Sequence, residues 1–190
     1  EQGHPNLCHR MHFCGLDPDA GSLSHWMHMP AHTCFPVPDE IDNDAAALLE
    51  PLGVGLHTVD LAKIKVGDSV AILGAGTIGL LITRLARLAG ASDIIVTDPL
   101  PYRLEVARSM GASQVINPEE ADVVHEIMEL TGGRGVDVVF EACAAPEAYF
   151  QGVEVARPGG TFVLVGIPVA DTVEFPYPPL MKRELRLIFQ

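Results

Sequence analysis

Gly74-Ala75-Gly76-Thr77-Ile78-Gly79 sets three glycines at G-x-G-x-x-G spacing between two apolar stretches of different period. Val70-Ala71-Ile72-Leu73 before it is short and unbroken, as a strand covered on both faces reads. After it Ile78, Leu81, Ile82, Leu85 and Leu88 recur at helical spacing, and Gly90 supplies a stop. In such a turn Gly74 permits the tight bend, Gly76 lets backbone approach a pyrophosphate, and Gly79 lets helix pack close to strand. Phosphates would rest on the free N–H groups around Thr77 and Ile78 at the helix N-terminus. Glycine-rich turns also serve purely structural loops, so context decides. Here a second strand, Ile94-Ile95-Val96-Thr97, ends in Asp98, an acid about 20 residues past the loop and the expected partner of an adenosine ribose hydroxyl. Together these features predict a dinucleotide site.

The remaining pattern extends the first unit. A helix around Tyr102–Met110 ends at Gly111, and Gln114-Val115-Ile116 makes a third strand closed by Asn117-Pro118. Val123, Val124, Ile127 and Leu130 mark a helical face stopped by Gly132-Gly133. Val136-Asp137-Val138-Val139-Phe140 reads as the fourth strand, with a helix from Pro146. Pro158-Gly159-Gly160 reads as a turn into a fifth strand, Thr161–Val165, and Leu185–Phe189 as a sixth. Strands alternating with helices at this spacing predict an α/β fold with a doubly wound, parallel six-stranded sheet. Residues 1–49 differ. They hold six of the eight histidines and three of the four cysteines, with little periodicity, and read as a partial, loop-rich segment before a domain over 50–190. Within them Pro36–Glu40 looks like a turn before a helix, with Asp42 or Asn43 as its N-cap.

Charge narrows the partners. With 12 basic and 25 acidic residues the net charge is −13, and no basic run exists, which argues against nucleic acid or an anionic membrane. No apolar stretch approaches the roughly 20 residues of a membrane span. Cys8, Cys14, Cys34 and Cys143 form neither a C-x-x-C pair nor an evident disulfide framework, so a reducing, cytoplasmic setting is expected. Cys143 is expected to be buried and inert.

The glycine loop, Asp98, Glu50-Pro51-Leu52-Gly53-Val54-Gly55-Leu56-His57 and Gly3-His4-Pro5-Asn6-Leu7-Cys8 together resemble the zinc-dependent medium-chain dehydrogenase family. The sorbitol (polyol) dehydrogenase branch is the nearest in pattern, and the resemblance covers essentially all 190 residues. It implies a Rossmann domain for NAD, preceded by the tail of a mostly β, GroES-like catalytic domain, with hydride transfer between a secondary alcohol and NAD. It also implies that the family's chain is longer at both ends, so the 190 residues are expected to be truncated on each side. Homodimers or homotetramers built through the sixth strand are implied as well.

Residue by residue, Cys8 resembles the fourth thiolate of a structural zinc lobe, C-x2-C-x2-C-x7-C, whose other ligands would precede Glu1; a plain loop cysteine is the alternative. Glu50 matches a glutamate at the catalytic zinc, bound directly or through water, unless it is only a surface Glu before a proline. A zinc ion there would lower the pKa of the substrate hydroxyl. His57 is expected to be structural. Asp98 favours NAD over NADP, because a carboxylate repels a 2′-phosphate. Arg103 matches a position over the adenine, or is a solvated helix charge. Gly166-Ile167 fits the position whose backbone meets the nicotinamide carboxamide. Phe13 matches an aromatic of the substrate pocket, although Gly15-Leu16-Asp17-Pro18 departs from the branch's A-T-P-P, and Glu141-Ala142-Cys143-Ala144 departs from its E-C-T-G. L-Threonine 3-dehydrogenase is the competing activity, and a non-catalytic dinucleotide-binding module the competing class. With one zinc ligand in hand, the 190 residues themselves are expected to bind NAD weakly and not to oxidise alcohols.

Overall fold

The computed structural model describes residues 21–190 together with Cys8, Cys14 and Gly15. Its contacts divide the chain into one unit ending at Ala46 and another spanning Ala47–Gln190. In the first, the regular elements among the described residues are a 3-10 turn over Ala31–Thr33 and helix α1, Asn43–Ala47, which runs across the boundary. Asp42 caps α1, its Oδ1 accepting the Ala45 N–H at 2.8 Å.

The second unit begins with α2 (Leu49–Ala62) and continues β1 (Ser69–Leu73), α3 (Thr77–Ala89), β2 (Asp93–Thr97), α4 (Pro101–Met110), β3 (Gln114–Ile116) and α5 (Val123–Leu130). Then come β4 (Val136–Glu141), α6 (Pro146–Val155), β5 (Ala156–Leu164), α7 (Tyr177–Arg183) and β6 (Arg186–Phe189). All pairings are parallel, in the order β3-β2-β1-β4-β5-β6, with β3 and β6 at the edges. This is the doubly wound α/β sheet that the sequence predicts.

Side chains alternate faces along each strand, and that alternation builds two cores. Val70 and Ile72 of β1 join Ile94, Val96 and Phe140 on the face covered by α2, α3 and α4, through Val59, Ile82 and Ala107. Ala71 and Leu73 turn to the other face, where Ile127 of α5 and Tyr149 and Val153 of α6 close over them. A strand buried on both sides has no room for a polar alternation, which is why β1 reads as one apolar run.

Helix ends follow local chemistry. Gly90 and Gly111 stand at φ 103° and 117°, left-handed stops after α3 and α4. Asp122 caps α5, accepting the His125 N–H at 3.0 Å.

The fifth strand departs from expectation. It starts at Ala156, and the pairing jumps from Val136↔Ala156 to Val138↔Thr161, so Arg157–Gly160 form a bulge rather than a turn before the strand. The bulge aims Arg157 at Asp137, whose Oδ1 accepts from Arg157 Nε at 2.6 Å. Arg134 donates to both oxygens of the same carboxylate, and the Ser69 N–H and hydroxyl reach Oδ2 at 2.9 and 2.8 Å. Burial alone would push this carboxyl up, but hydrogen bonds from Arg134, Ser69 and Arg157 outweigh it and hold it well below the usual carboxylate range. The cluster ties β1, β4 and β5 together at the amino ends of the strands, opposite the glycine loop.

Candidate functional site

At the carboxyl end of β1 the chain turns at Gly74, whose φ of 105° excludes an ordinary side chain. Gly76 is the N-cap of α3 with no capping side chain, and a Cβ on it would meet nothing within 4 Å. The first-turn N–H groups of α3, at Thr77 and Ile78, thus receive no capping side chain from the N-cap residue. A Cβ on Gly79 would fall on the Gly74 carbonyl oxygen. In geometry Gly74 makes the bend, Gly76 leaves open space and Gly79 packs closely against the Gly74 carbonyl.

Asp98 ends up beside this loop, but not as a bare ribose acceptor. It is only 3% exposed, and its Oδ2 accepts the Ala75 N–H at 2.9 Å while Oδ1 accepts the Leu100 N–H at 3.0 Å. The acid therefore fixes the glycine loop to the end of β2, and a ligand hydroxyl reaches it only from the cleft side. Arg103, on α4, places Nη1 3.5 Å from Asp98 Oδ2 and donates from Nε to the Tyr102 hydroxyl at 3.2 Å. That hydrogen bond and the Asp98 charge hold the guanidinium above its ordinary pKa.

Gly74, Asp98 and Arg103 line a cleft of ≈ 420 Å³ whose other wall is Cys143, Ala145, Glu147 and Gln151. Glu147 and Gln151, one turn apart on α6, are polar lining groups that sequence reasoning did not single out. Cys143 is corrected: it is exposed at the cleft wall and not buried. Partial burial of its sulfur, with the Glu141 and Asp98 carboxylates nearby, pushes the thiol up to about 11, so it is neutral near pH 7.

Glu141, the last residue of β4, is fully buried and also went unassigned from sequence. Its Oε1 accepts the N–H groups of Cys143, at 2.7 Å, and of Ala144. The available signal was a carboxylate ending an apolar strand, the same signature that singles out Asp98. Gly166 and Ile167 follow β5 and border a second cleft of ≈ 280 Å³, also lined by Tyr149, Val173 and Phe175. Ile167 is 89% exposed, presenting an apolar side chain to whatever occupies that end.

The cradle fits a dinucleotide: glycines that bend the chain, leave space at the start of α3 and let that helix pack closely, an N-terminus without a capping side chain, and a buried acid at one end of a cleft of ≈ 420 Å³. The zinc expectation finds no such set. Glu50 lies exposed on α2, Cys8 is exposed, and Phe13 is outside the described residues. Among the described residues, the one group of three or more metal-capable side chains with ligand atoms in reach is His125, Glu126 and Glu129 on α5, which includes neither. His57 is exposed on α2. Among the described residues no helix is long and apolar enough to cross a membrane.

Comparison with known proteins agrees with this geometry. A sorbitol dehydrogenase of Bacillus subtilis (strain 168) is 36% identical over 185 residues, 97% of this chain and 52% of the relative. An L-threonine 3-dehydrogenase of Pyrococcus horikoshii is 39% identical over 175 residues, 92% of this chain and 50% of the relative. The NADP-bound crystal structure of a protein described as a zinc-binding dehydrogenase from Sinorhizobium meliloti 1021 superposes with a TM-score of 0.88 at 37% identity, covering 97% of this chain and 55% of that one. The chain spans about half the length of the curated relatives it matches. A family model described as zinc-binding dehydrogenase matches residues 77–189, more than half of the chain, from the start of α3 to the end of β6. On that match, and on a glycine loop and sheet order of the required form, the chain belongs to the zinc-binding dehydrogenase family.

Proposed function

We propose that this chain is the NAD-binding half of a dehydrogenase of secondary alcohols, with polyols such as sorbitol as the substrate class. The observation that carries the reading is the single unit made by Gly74–Gly79 and Asp98, joined through the Ala75 N–H. The first-turn N–H groups of α3 hold a pyrophosphate, and Asp98 receives a ribose hydroxyl from the cleft. Arg103 and α6 enclose the adenine between them. Gly166 and Ile167 present backbone to the nicotinamide end. When bound, the nicotinamide supplies the hydride acceptor; the protein supplies position and field. Glu50 is proposed on the zinc side of the reaction, Cys8 in a structural zinc lobe, Phe13 near the substrate, and the outer edge of β6 as the place where two copies pair. The relatedness to L-threonine 3-dehydrogenases supports an amino alcohol as the second reading of the substrate.

Cofactor choice tests the first part. A 2′-phosphate against the buried Asp98 carboxylate sets like charges together, so NAD is expected to bind at least ~10-fold more tightly than NADP in calorimetric titration. Asp98→Ala removes both the ribose acceptor and the tie to Ala75, and is expected to weaken NAD by about 10-fold or more. Equal or tighter binding of NADP overturns the assignment. The relative with NADP bound and the guanidinium of Arg103 beside Asp98 make this a demanding test.

Turnover tests the second part. With zinc and NAD added, the 190 residues are expected to oxidise neither sorbitol nor L-threonine at an enzymatic rate, because no described set of three ligands includes Glu50. Measurable sorbitol turnover would show that the metal site had been misplaced.

A further inference from the structure

The strand order reverses between β1 and β4, whose last residues, Leu73 and Glu141, lie side by side in register. In open parallel sheets ligands bind in the crevice outside such a reversal. Leu73 is apolar there, whereas Glu141 is a carboxylate with 0% of its surface exposed. One oxygen, Oε1, is used twice, by the Cys143 and Ala144 N–H groups. The other, Oε2, is sealed from solvent and has no hydrogen-bond partner among the described residues. A half-satisfied buried carboxylate is costly, and an apolar side chain of equal size would avoid the cost.

We propose that Glu141 is a positioning residue for the dinucleotide, a clamp that holds the Ala142–Ala144 loop against the glycine loop. This rests on the dinucleotide reading above. The clamp begins at Ala144, which stands at φ 55°, in the left-handed region that a side chain disfavours. Two N–H groups converging on one oxygen hold it there. The loop so held abuts the first glycine of the phosphate turn: a Cβ on Gly74 would come 2.8 Å from Cys143 Cβ and 3.0 Å from the Ala142 carbonyl oxygen. On the other side the clamp supports the nicotinamide end. A Cβ on Gly166 would come 2.5 Å from the Ala144 nitrogen and 2.7 Å from Glu141 Oε2, so only glycine lies flat on the carboxylate. Gly74 and Cys143 border the larger cleft and Gly166 the smaller, so one side chain sets a wall of each.

The test is NAD titration by calorimetry, well below the melting temperature, with thermal melts on the same 190-residue chains. Glu141→Leu removes the acceptor at similar volume and is expected to weaken NAD about tenfold. Glu141→Gln keeps an acceptor for both N–H groups and is expected to stay within about threefold of the unaltered chain. Ala144→Gly takes the left-handed conformation without help, so the Glu141→Leu loss is expected to shrink by at least about threefold in that background. A merely structural Glu141 would lower the melting temperature of Glu141→Leu and leave its NAD affinity unchanged, which overturns the clamp. An equal loss with and without Ala144→Gly overturns it too, as does a tenfold loss in Glu141→Gln. If Glu141→Leu does not fold, Glu141→Met, which removes the acceptor with an unbranched apolar side chain of similar length, takes its place alone and with Ala144→Gly under the same criteria. An unaltered chain that binds no NAD overturns the underlying reading, and the clamp with it; one that binds, with Glu141→Leu equal to it, overturns the clamp alone.

Discussion

Gly79→Ala is expected to destabilise the Ala47–Gln190 unit by about 3 kcal/mol, because its Cβ would fall on the Gly74 carbonyl oxygen. The obstructing atom is backbone and cannot rotate away, so α3 must shift off β1. That shift would open the contact of Ile82 and Ala86 with the strands, both of which are fully buried. For a unit of this size such a loss lowers the melting temperature by about 6–12 °C. Gly76→Ala provides the contrast. Its Cβ meets nothing within 4 Å and its φ is −70°, so the fold should be retained within about 2 °C. What it obstructs is the space a pyrophosphate would take. NAD affinity should therefore fall in both variants, but melting temperature only in the first. A Gly79→Ala chain that melts with the unaltered one would show that the loop and helix can separate without cost.

The second large effect lies at the other end of the sheet. Asp137→Asn is expected to cost about 3 kcal/mol, since two guanidiniums and the Ser69 N–H lose a buried charged acceptor. Arg134 and Arg157 are partly exposed, which keeps the figure from being larger. The pH dependence has a definite sign. The folded carboxyl is held below its unfolded value, so its contribution is present above the ordinary carboxylate range near ~4 and is lost as pH falls through the folded value. Thermal melts from pH 8 to pH 2 should show a constant gap between unaltered and Asp137→Asn chains down to about pH 4, narrowing below it. A gap that widens in acid would mean that the carboxyl is not stabilised in its charged form.

How much of this was legible depended on whether the cause was local. The apolar run of β1, the glycine spacing and the caps at Gly90 and Gly111 are decided within a few residues, and the sequence pattern states them directly. The same holds for Asp98 as an acid at a strand end, although its bond to the Ala75 N–H needs the fold. The bulge in β5 did not show, because Pro158-Gly159-Gly160 has turn chemistry and only the distant Asp137 gives Arg157 a reason to bend in. Cys143 looked like a small core residue; its exposure follows from the loop that Glu141 holds against Gly74. Glu141 carried a local signal, a carboxylate ending an apolar strand, but the close approach of Gly166 that gives it meaning comes from the end of the neighbouring strand and needs the fold. Glu50, Cys8 and Phe13 had no local physical signal strong enough to name their chemistry, and rested on resemblance alone.

The position of β1 in the middle of the sheet also governs how the protein is made. A ribosome releases β1, β2 and β3 in order, and these three can pair as soon as they emerge. The opposite side of β1 must wait for β4, so the stretch between Leu73 and Val136 has to be synthesised before that side is covered. At usual elongation rates of ~5–20 residues per second, the apolar edge of Val70–Leu73 stays open for several seconds on each nascent chain. Neighbouring ribosomes on one message hold identical open edges close together, and a strand edge pairs with whatever strand it meets first. Translation speed across α4 and α5 is thus a folding parameter of this protein, set outside every contact in its finished form.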